Sequence, residues 1–168
     1  MTDRDNGDCG IHVQETRIGV YSVLTRKATD LTDAIRNRLG FSDQDTYLEI
    51  HVPDVIEDDG QRRILETFIE GFRNLAAFLE ERGLRPRALV GVTHAGVAVW
   101  AGRYLNFDLT KGIKESELDD ETLERINEGF AKTERAARGK ERGPIYLCVQ
   151  TFESFMQEFG SQGPQLAS

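Results

Sequence analysis

Residues 46–107 read TYLEIHVPDVIEDDGQRRILETFIEGFRNLAAFLEERGLRPRALVGVTHAGVAVWAGRYLNF, and this stretch decides the fold. In its first part Leu48, Ile50 and Val52 alternate with Tyr47, Glu49 and His51, the period of two that a half-buried strand requires. Pro53 ends the strand because proline has no N–H to give to a ladder. From Gln61 to about Arg82 the apolar positions Ile64, Leu65, Phe68, Ile69, Phe72, Leu75, Ala76 and Leu79 recur at three-four spacing, which predicts a long amphipathic helix. Gly83 marks its stop. The run ALVGVT, residues 88–93, is short, apolar and rich in β-branched residues, as expected for a strand covered on both faces. Strand, helix and strand in succession predict a parallel crossover. Thr93 is placed to cap a further helix over 94–105, whose small residues Ala95, Gly96, Ala98, Ala101 and Gly102 suit close helix–sheet packing.

Working outward, residues 17–25 read as one strand and 29–39 as a helix that Gly40 closes. After residue 105, NFDLT predicts another strand. Residues 116–138 predict one helix with Ser116 or Asp119 as cap and Leu123, Ile126, Phe130 and Ala137 on its inner face. IYLCVQ is a closing strand, and TFESFMQEFG a last helix with Phe152, Phe155, Met156 and Phe159 inward. Residues 1–10 and 161–168 lack apolar periodicity and read as disordered tails around one α/β domain, 11–160. The expected architecture is a mixed sheet of about five to six strands with helices on both faces.

Composition narrows the function classes. A formal net charge of −8 argues against nucleic acid or an anionic membrane as partner. No apolar run approaches the roughly 18 residues of a membrane span, and MTDRDNGDCG is no signal peptide. Cys9 and Cys148 stand far apart in unlike contexts, which reads as two free thiols in a cytoplasmic protein. A homodimer is left open.

Three constellations carry chemistry. Glu49 and His51 share one face of the first central strand, and His94 stands where the second strand meets its helix. Ligand crevices in open α/β sheets lie beyond the carboxyl ends of the strands, and a carboxylate beside an imidazole makes a general-base pair. The alternative is that both histidines are ordinary, partly buried residues. Glu57, Asp58 and Asp59 precede the long helix, where acids favour the helix dipole; a divalent cation is the other reading, though no metal set has matched spacing. Arg135, Arg138, Lys140 and Arg142 form a basic knot, either an anion holder or a solvated helix end. Walker, GxSxG, HExxH and zinc-type cysteine patterns are absent from the sequence.

The order strand, long helix, strand, short helix, Asn106-Phe107 resembles the acyl-CoA-binding half of the GNAT superfamily of N-acyltransferases over roughly 46–109. The strand ends Val52-Pro53, Gly60 matches the first glycine of the family's pyrophosphate loop, and Ala98 and Phe107 match the later motif. Glu57 and Gly102 hold the positions of the family's loop Arg or Gln and of its later Tyr. Gly91-Val92-Thr93-His94 is also similar to a run in the YkoP-like domain found beside some polysaccharide deacetylases. The resemblance implies acetyl-CoA or another acyl-CoA as cofactor and an amine as acceptor. Backbone amides around Gly60 and Gln61 would hold the pyrophosphate. Glu49, His51 or His94 would take the amine's proton. On the same fold, a non-catalytic module binding a small ligand or a protein is the other expectation.

Overall fold

In the computed structural model the described residues are 16–18, 21–51 and 61–160. The expected tails, the acids Glu57 to Asp59 and Gly60 lie outside them. Six strands form one mixed sheet in the order β1-β2-β3-β4-β6-β5. They are β1 (Thr16–Ile18), β2 (Tyr21–Lys27), β3 (Thr46–His51), β4 (Ala88–His94), β5 (Asp108–Ile113) and β6 (Ile145–Thr151). Only β3 and β4 run parallel, joined through the helix α2 (Gln61–Arg82) as the periodicity predicts. Gly83 (φ 66°) ends that helix in the left-handed region, so the Leu84 N–H reaches back to the Leu79 carbonyl at 3.0 Å.

Helices cover both faces, and the strands' alternation sorts the core into two halves. On one side α2, α3 (Ala95–Tyr104) and α6 (Phe152–Phe159) press Phe72, Leu75, Ala98 and Phe155 onto Val23, Leu48, Leu89 and Cys148. On the other, α1 (Asp33–Leu39) and α4 (Asp120–Ala131) bring Ile35 and Ile126 against Tyr47, Val90, Ile145 and Leu147. The small residues of α3 do allow close approach: a Cβ on Gly102 would stand 2.7 Å from a methyl of Leu109. No helix among the described residues is long and apolar enough to cross a membrane.

The helix expected over 29–39 starts only at Asp33, behind a 3-10 turn at Ala28–Asp30, because Thr32 caps it by accepting from Ile35 N at 3.3 Å. Four further local expectations are corrected. The strand expected over 17–25 is two antiparallel strands, with Ile18 opposite Tyr21 and Thr16 opposite Val23. The short interval between them left no room for a turn signal longer than Gly19. Second, His94 rather than Thr93 caps α3, because the β4–β6 ladder keeps the backbone extended as far as His94 opposite Ile145. Third, the strand expected from NFDLT begins later: Asn106 takes a positive φ of 65°, Phe107 is buried, and β5 starts at Asp108.

The fourth correction is that the helix expected over 116–138 is broken. A 3-10 turn at Glu115–Glu117 precedes α4, which Asp119 caps by accepting from Thr122 N at 3.1 Å. A short α5 (Glu134–Ala137) follows. At the break the Thr133 hydroxyl donates to the Phe130 carbonyl at 2.6 Å and accepts from Ala136 N at 3.3 Å. A threonine side chain offers the backbone a local alternative to the helix ladder, and here it closes one helix and opens the next.

Candidate active site

The parallel ladder between β3 and β4 is short. Tyr47 pairs with Ala88, Leu48 with Leu89 and Glu49 with Val90, and there the register ends. Beyond that point each strand stays with its outer neighbour. Val23 and Ser22 of β2 hold Ile50 and His51, while β6 holds β4 as far as His94. Ile50 and Gly91 still lie close, since a Cβ on Gly91 would stand 3.4 Å from the Ile50 carbonyl oxygen, and the sheet opens past them at the carboxyl ends of its two central strands, where α/β sheets place ligands.

A cavity of about 350 Å³ fills the opening. Ile50, His51 and Gly91 to His94 border it, and it reaches both faces of the sheet. Toward α2 and α3 its walls are Tyr21, Phe68, Phe72, Trp100 and Phe107. Toward α4 and α5 they are Arg125, Ile126, Lys132, Thr133 and Glu134. A second space of about 60 Å³ lies on the α1/α4 side, bordered by Arg26, Glu49, Asp119, Thr122 and Arg125. His51, Val92 and Arg125 border both.

Period two places Glu49 and His51 on one face, and their side chains meet: His51 Nε2 is 2.5 Å from Glu49 Oε2. Each side chain is only 16% exposed. Arg26 approaches the other carboxylate oxygen at 3.7 Å, and Arg125 approaches Oε2 at 3.7 Å. Burial pushes the Glu49 carboxyl up, but the hydrogen bond and charge of His51 together with the two arginines more than offset this, and its pKa lies below the ordinary 4.5. Glu49 is thus a carboxylate at neutral pH. The ring nitrogen facing it, Nε2, carries a hydrogen and donates it to the carboxylate.

His94 is built differently. It is buried, its Nδ1 accepts from the Gly96 N–H at 3.2 Å, and its ring meets Phe130 edge-on at 5.9 Å. Burial first, and then the charge of Arg142, lower its pKa from the ordinary 6.5. Neutral His94 with Nδ1 engaged as a cap carries its hydrogen on Nε2. Its Nε2–H is therefore a donor. Cys148, also at the cavity, is a buried free thiol pushed up to about 12, so it stays protonated and is no nucleophile.

The three predicted catalytic residues, Glu49, His51 and His94, are therefore gathered at the opening of the sheet, with Glu49 held in the smaller space beside it. Of the predicted pyrophosphate residues, Gly60 lies outside the described residues and Gln61 is the first residue of α2, its side chain not described. Two of the four residues of the expected basic knot are engaged within the chain. Arg138 pairs with Glu134 at 2.5 Å, and Arg142 binds Asn127 Oδ1 at 2.5 Å and Glu115 at 2.8 Å. Among the described residues, no group of three or more His, Cys, Asp and Glu could hold a metal ion.

Sequence reasoning missed Arg26 and Arg125. Arg26 stands opposite Tyr47 in the β2–β3 register, on the face of the sheet that Glu49 shares. Arg125 directly precedes Ile126, the buried contact of α4. Parity made each residue's face readable, but only the register brings them to Glu49. No family model, curated protein or solved structure matches the chain.

Proposed function

We propose that the protein is a diverged GNAT-like N-acyltransferase that moves an acyl group from a coenzyme A thioester to an amine in the cleft between β3 and β4. The observation that carries this reading is that the cavity at the carboxyl ends of β3 and β4 is lined from both faces of the sheet. Its lining is aromatic toward α2 and α3 and polar toward α4 and α5, and the hydrogen-bonded Glu49–His51 pair stands beside it. Two ligands of unlike chemistry can enter from opposite faces and meet where the strands part, which supplies the proximity a two-substrate transfer needs.

In this mechanism the amine nitrogen attacks the thioester carbonyl carbon, a C–N bond forms and the C–S bond breaks. Nδ1 of His51 takes the proton the nitrogen loses, directly or through water, and Glu49 stabilises the resulting imidazolium. Nε2–H of His94 faces the charge that develops on the carbonyl oxygen. The departing thiolate takes up a proton in turn, giving an amide and a free thiol. By the resemblance, amides around Gly60 and Gln61 would hold the pyrophosphate. The reading carries a cytoplasmic location with it, in keeping with the free thiol of Cys148.

The test is release of free thiol from acyl-CoA across a panel of primary amines, with Glu49→Gln, His51→Ala and His94→Ala beside the wild type. Turnover that falls in the variants supports the roles given; three variants at wild-type rate would overturn them. A second reading, a non-catalytic binding module, is favoured by the approach of Arg26 and Arg125 to Glu49, the pattern of a structural ion-pair network. Binding of acyl-CoA without thiol release from any amine would leave that reading standing.

A further inference from the structure

The aromatic half of the cleft is larger and drier than an acetyl group requires. At roughly 30 Å³ of liquid per water molecule, the whole cavity holds the equivalent of about a dozen waters. Even shared between the two halves, this is several times what a two-carbon acyl group displaces. The walls toward α2 and α3 are rings: Tyr21, Phe68, Phe72, Trp100 and Phe107.

Among the described residues the polar groups bordering that side are few: the hydroxyls of Tyr21 and Thr93, the Trp100 indole N–H and the Cys148 thiol. The Tyr21 hydroxyl donates to the Phe68 carbonyl at 3.0 Å, and the Cys148 thiol is held protonated by burial. A ligand segment bearing several amides or phosphates would find few partners among them. Water left beside a small acyl group would face aromatic carbon. An alkyl or aryl chain loses nothing by entering.

The rings also hold one another in place, so the space is preformed. Phe72 stacks on Tyr21 with ring centres 4.5 Å apart, Phe68 meets Trp100 edge-on at 6.0 Å, and Phe72 lies 5.8 Å from Phe107. Past the strand ends the same cavity is bordered by buried His94, on the α4 side beside Phe130, whose Nε2–H is suited to a carbonyl oxygen. Apolar walls leading to a donor across the strand ends match a chain ending in a carbonyl.

We infer that the acyl donor carries a medium-length alkyl or an aryl acyl group, seated among Tyr21, Phe68, Phe72, Trp100 and Phe107 with its carbonyl toward His94. The inference rests on the acyl-transfer reading of the cleft. Each methylene that enters the aromatic half tightens binding about fourfold until the far wall is met. The preference therefore rises with chain length and then stops.

The experiment is a calorimetric titration of the full chain with coenzyme A, acetyl-CoA, butyryl-CoA, octanoyl-CoA and phenylacetyl-CoA. The N-acetylcysteamine thioester of octanoate, which lacks the nucleotide and pyrophosphate, is run beside them. Octanoyl-CoA or phenylacetyl-CoA should bind at least tenfold tighter than acetyl-CoA. Ala101→Phe, which places a ring into the cavity, should shrink that ratio. Ala101→Leu does so more mildly if the larger ring prevents folding, and Val99→Phe on the exposed side of α3 should leave it intact.

Equal affinity for all the coenzyme A thioesters overturns the inference and leaves the acyltransferase reading standing. Binding of the short octanoyl thioester with no added affinity from coenzyme A supports an apolar acyl pocket and removes the coenzyme. Binding of neither overturns both.

Discussion

On the α2/α3/α6 side of the sheet, Phe72 is 1% exposed and touches the rings of Tyr21, Phe107, Phe155 and Phe159 at centre distances of 4.5 to 5.8 Å. On the α1/α4 side, Glu49 is partly buried, its side chain 16% exposed, and it is surrounded by His51, Arg26 and Arg125. The first region gains stability from apolar area removed from water. The second takes charges out of water and recovers the cost through pairing, which rarely leaves much net stability. A fold held by its aromatic side can keep an expensive polar side for chemistry, and the cleft between β3 and β4 joins the two.

The sharpest way to break the comparison is to truncate each side in turn. Phe72→Ala should cost about 3–5 kcal/mol in urea unfolding, the range for a large aromatic removed from a packed core. His51→Ala should change stability far less and instead lower thiol release about 10²–10⁴-fold, the usual contribution of a general base. If His51→Ala destabilised the protein as much as Phe72→Ala, the polar side would be structural.

Acid should probe the polar side, together with the surface carboxylates Asp45 and Glu117, whose pKa values their partners also lower. His94 has its pKa depressed below 6.5, so the unfolded chain binds its proton first, and stability falls as pH drops from about 6.5 through the lower folded value. Glu49 is depressed below 4.5, so its contribution is fully present above that pH and is lost as pH falls through its folded pKa. Unfolding measured from pH 8 to pH 3 should show both declines. Glu49→Gln should weaken the lower one and spare the upper.

Smaller effects sharpen the outline. Thr133→Ala removes the cap of α5 and the hydroxyl that closes α4, and should cost about 1 kcal/mol. Arg138→Ala breaks a pair whose side chains are 69% and 75% exposed, and should change stability by less than about 0.5 kcal/mol.

Much of this contrast was legible in the sequence. The alternation of Tyr47, Glu49 and His51 with Leu48 and Ile50 correctly placed carboxylate and imidazole on one face. The spacing from Phe68 to Leu79 correctly gave the helix that joins two parallel strands. What stayed hidden depends on register. The opening of the sheet exists because β3 and β4 pair over three residues and then follow different neighbours, and no local pattern records how far a ladder runs. The approach of Arg26 and Arg125 to Glu49 is hidden for the same reason. The break at Thr133 was missed because apolar spacing continues across it, whereas a hydroxyl hydrogen bond decides it.

The central claim is that the opening between β3 and β4 is the ligand site, and hydrogen–deuterium exchange tests it most directly. Amides of 47–51 and 90–94 are followed with and without saturating octanoyl-CoA or acetyl-CoA. The account predicts slower exchange at both strand ends, with α1 and the outer strand β5 unchanged. Binding that leaves both strand ends unprotected, or protects another part of the chain instead, would contradict it.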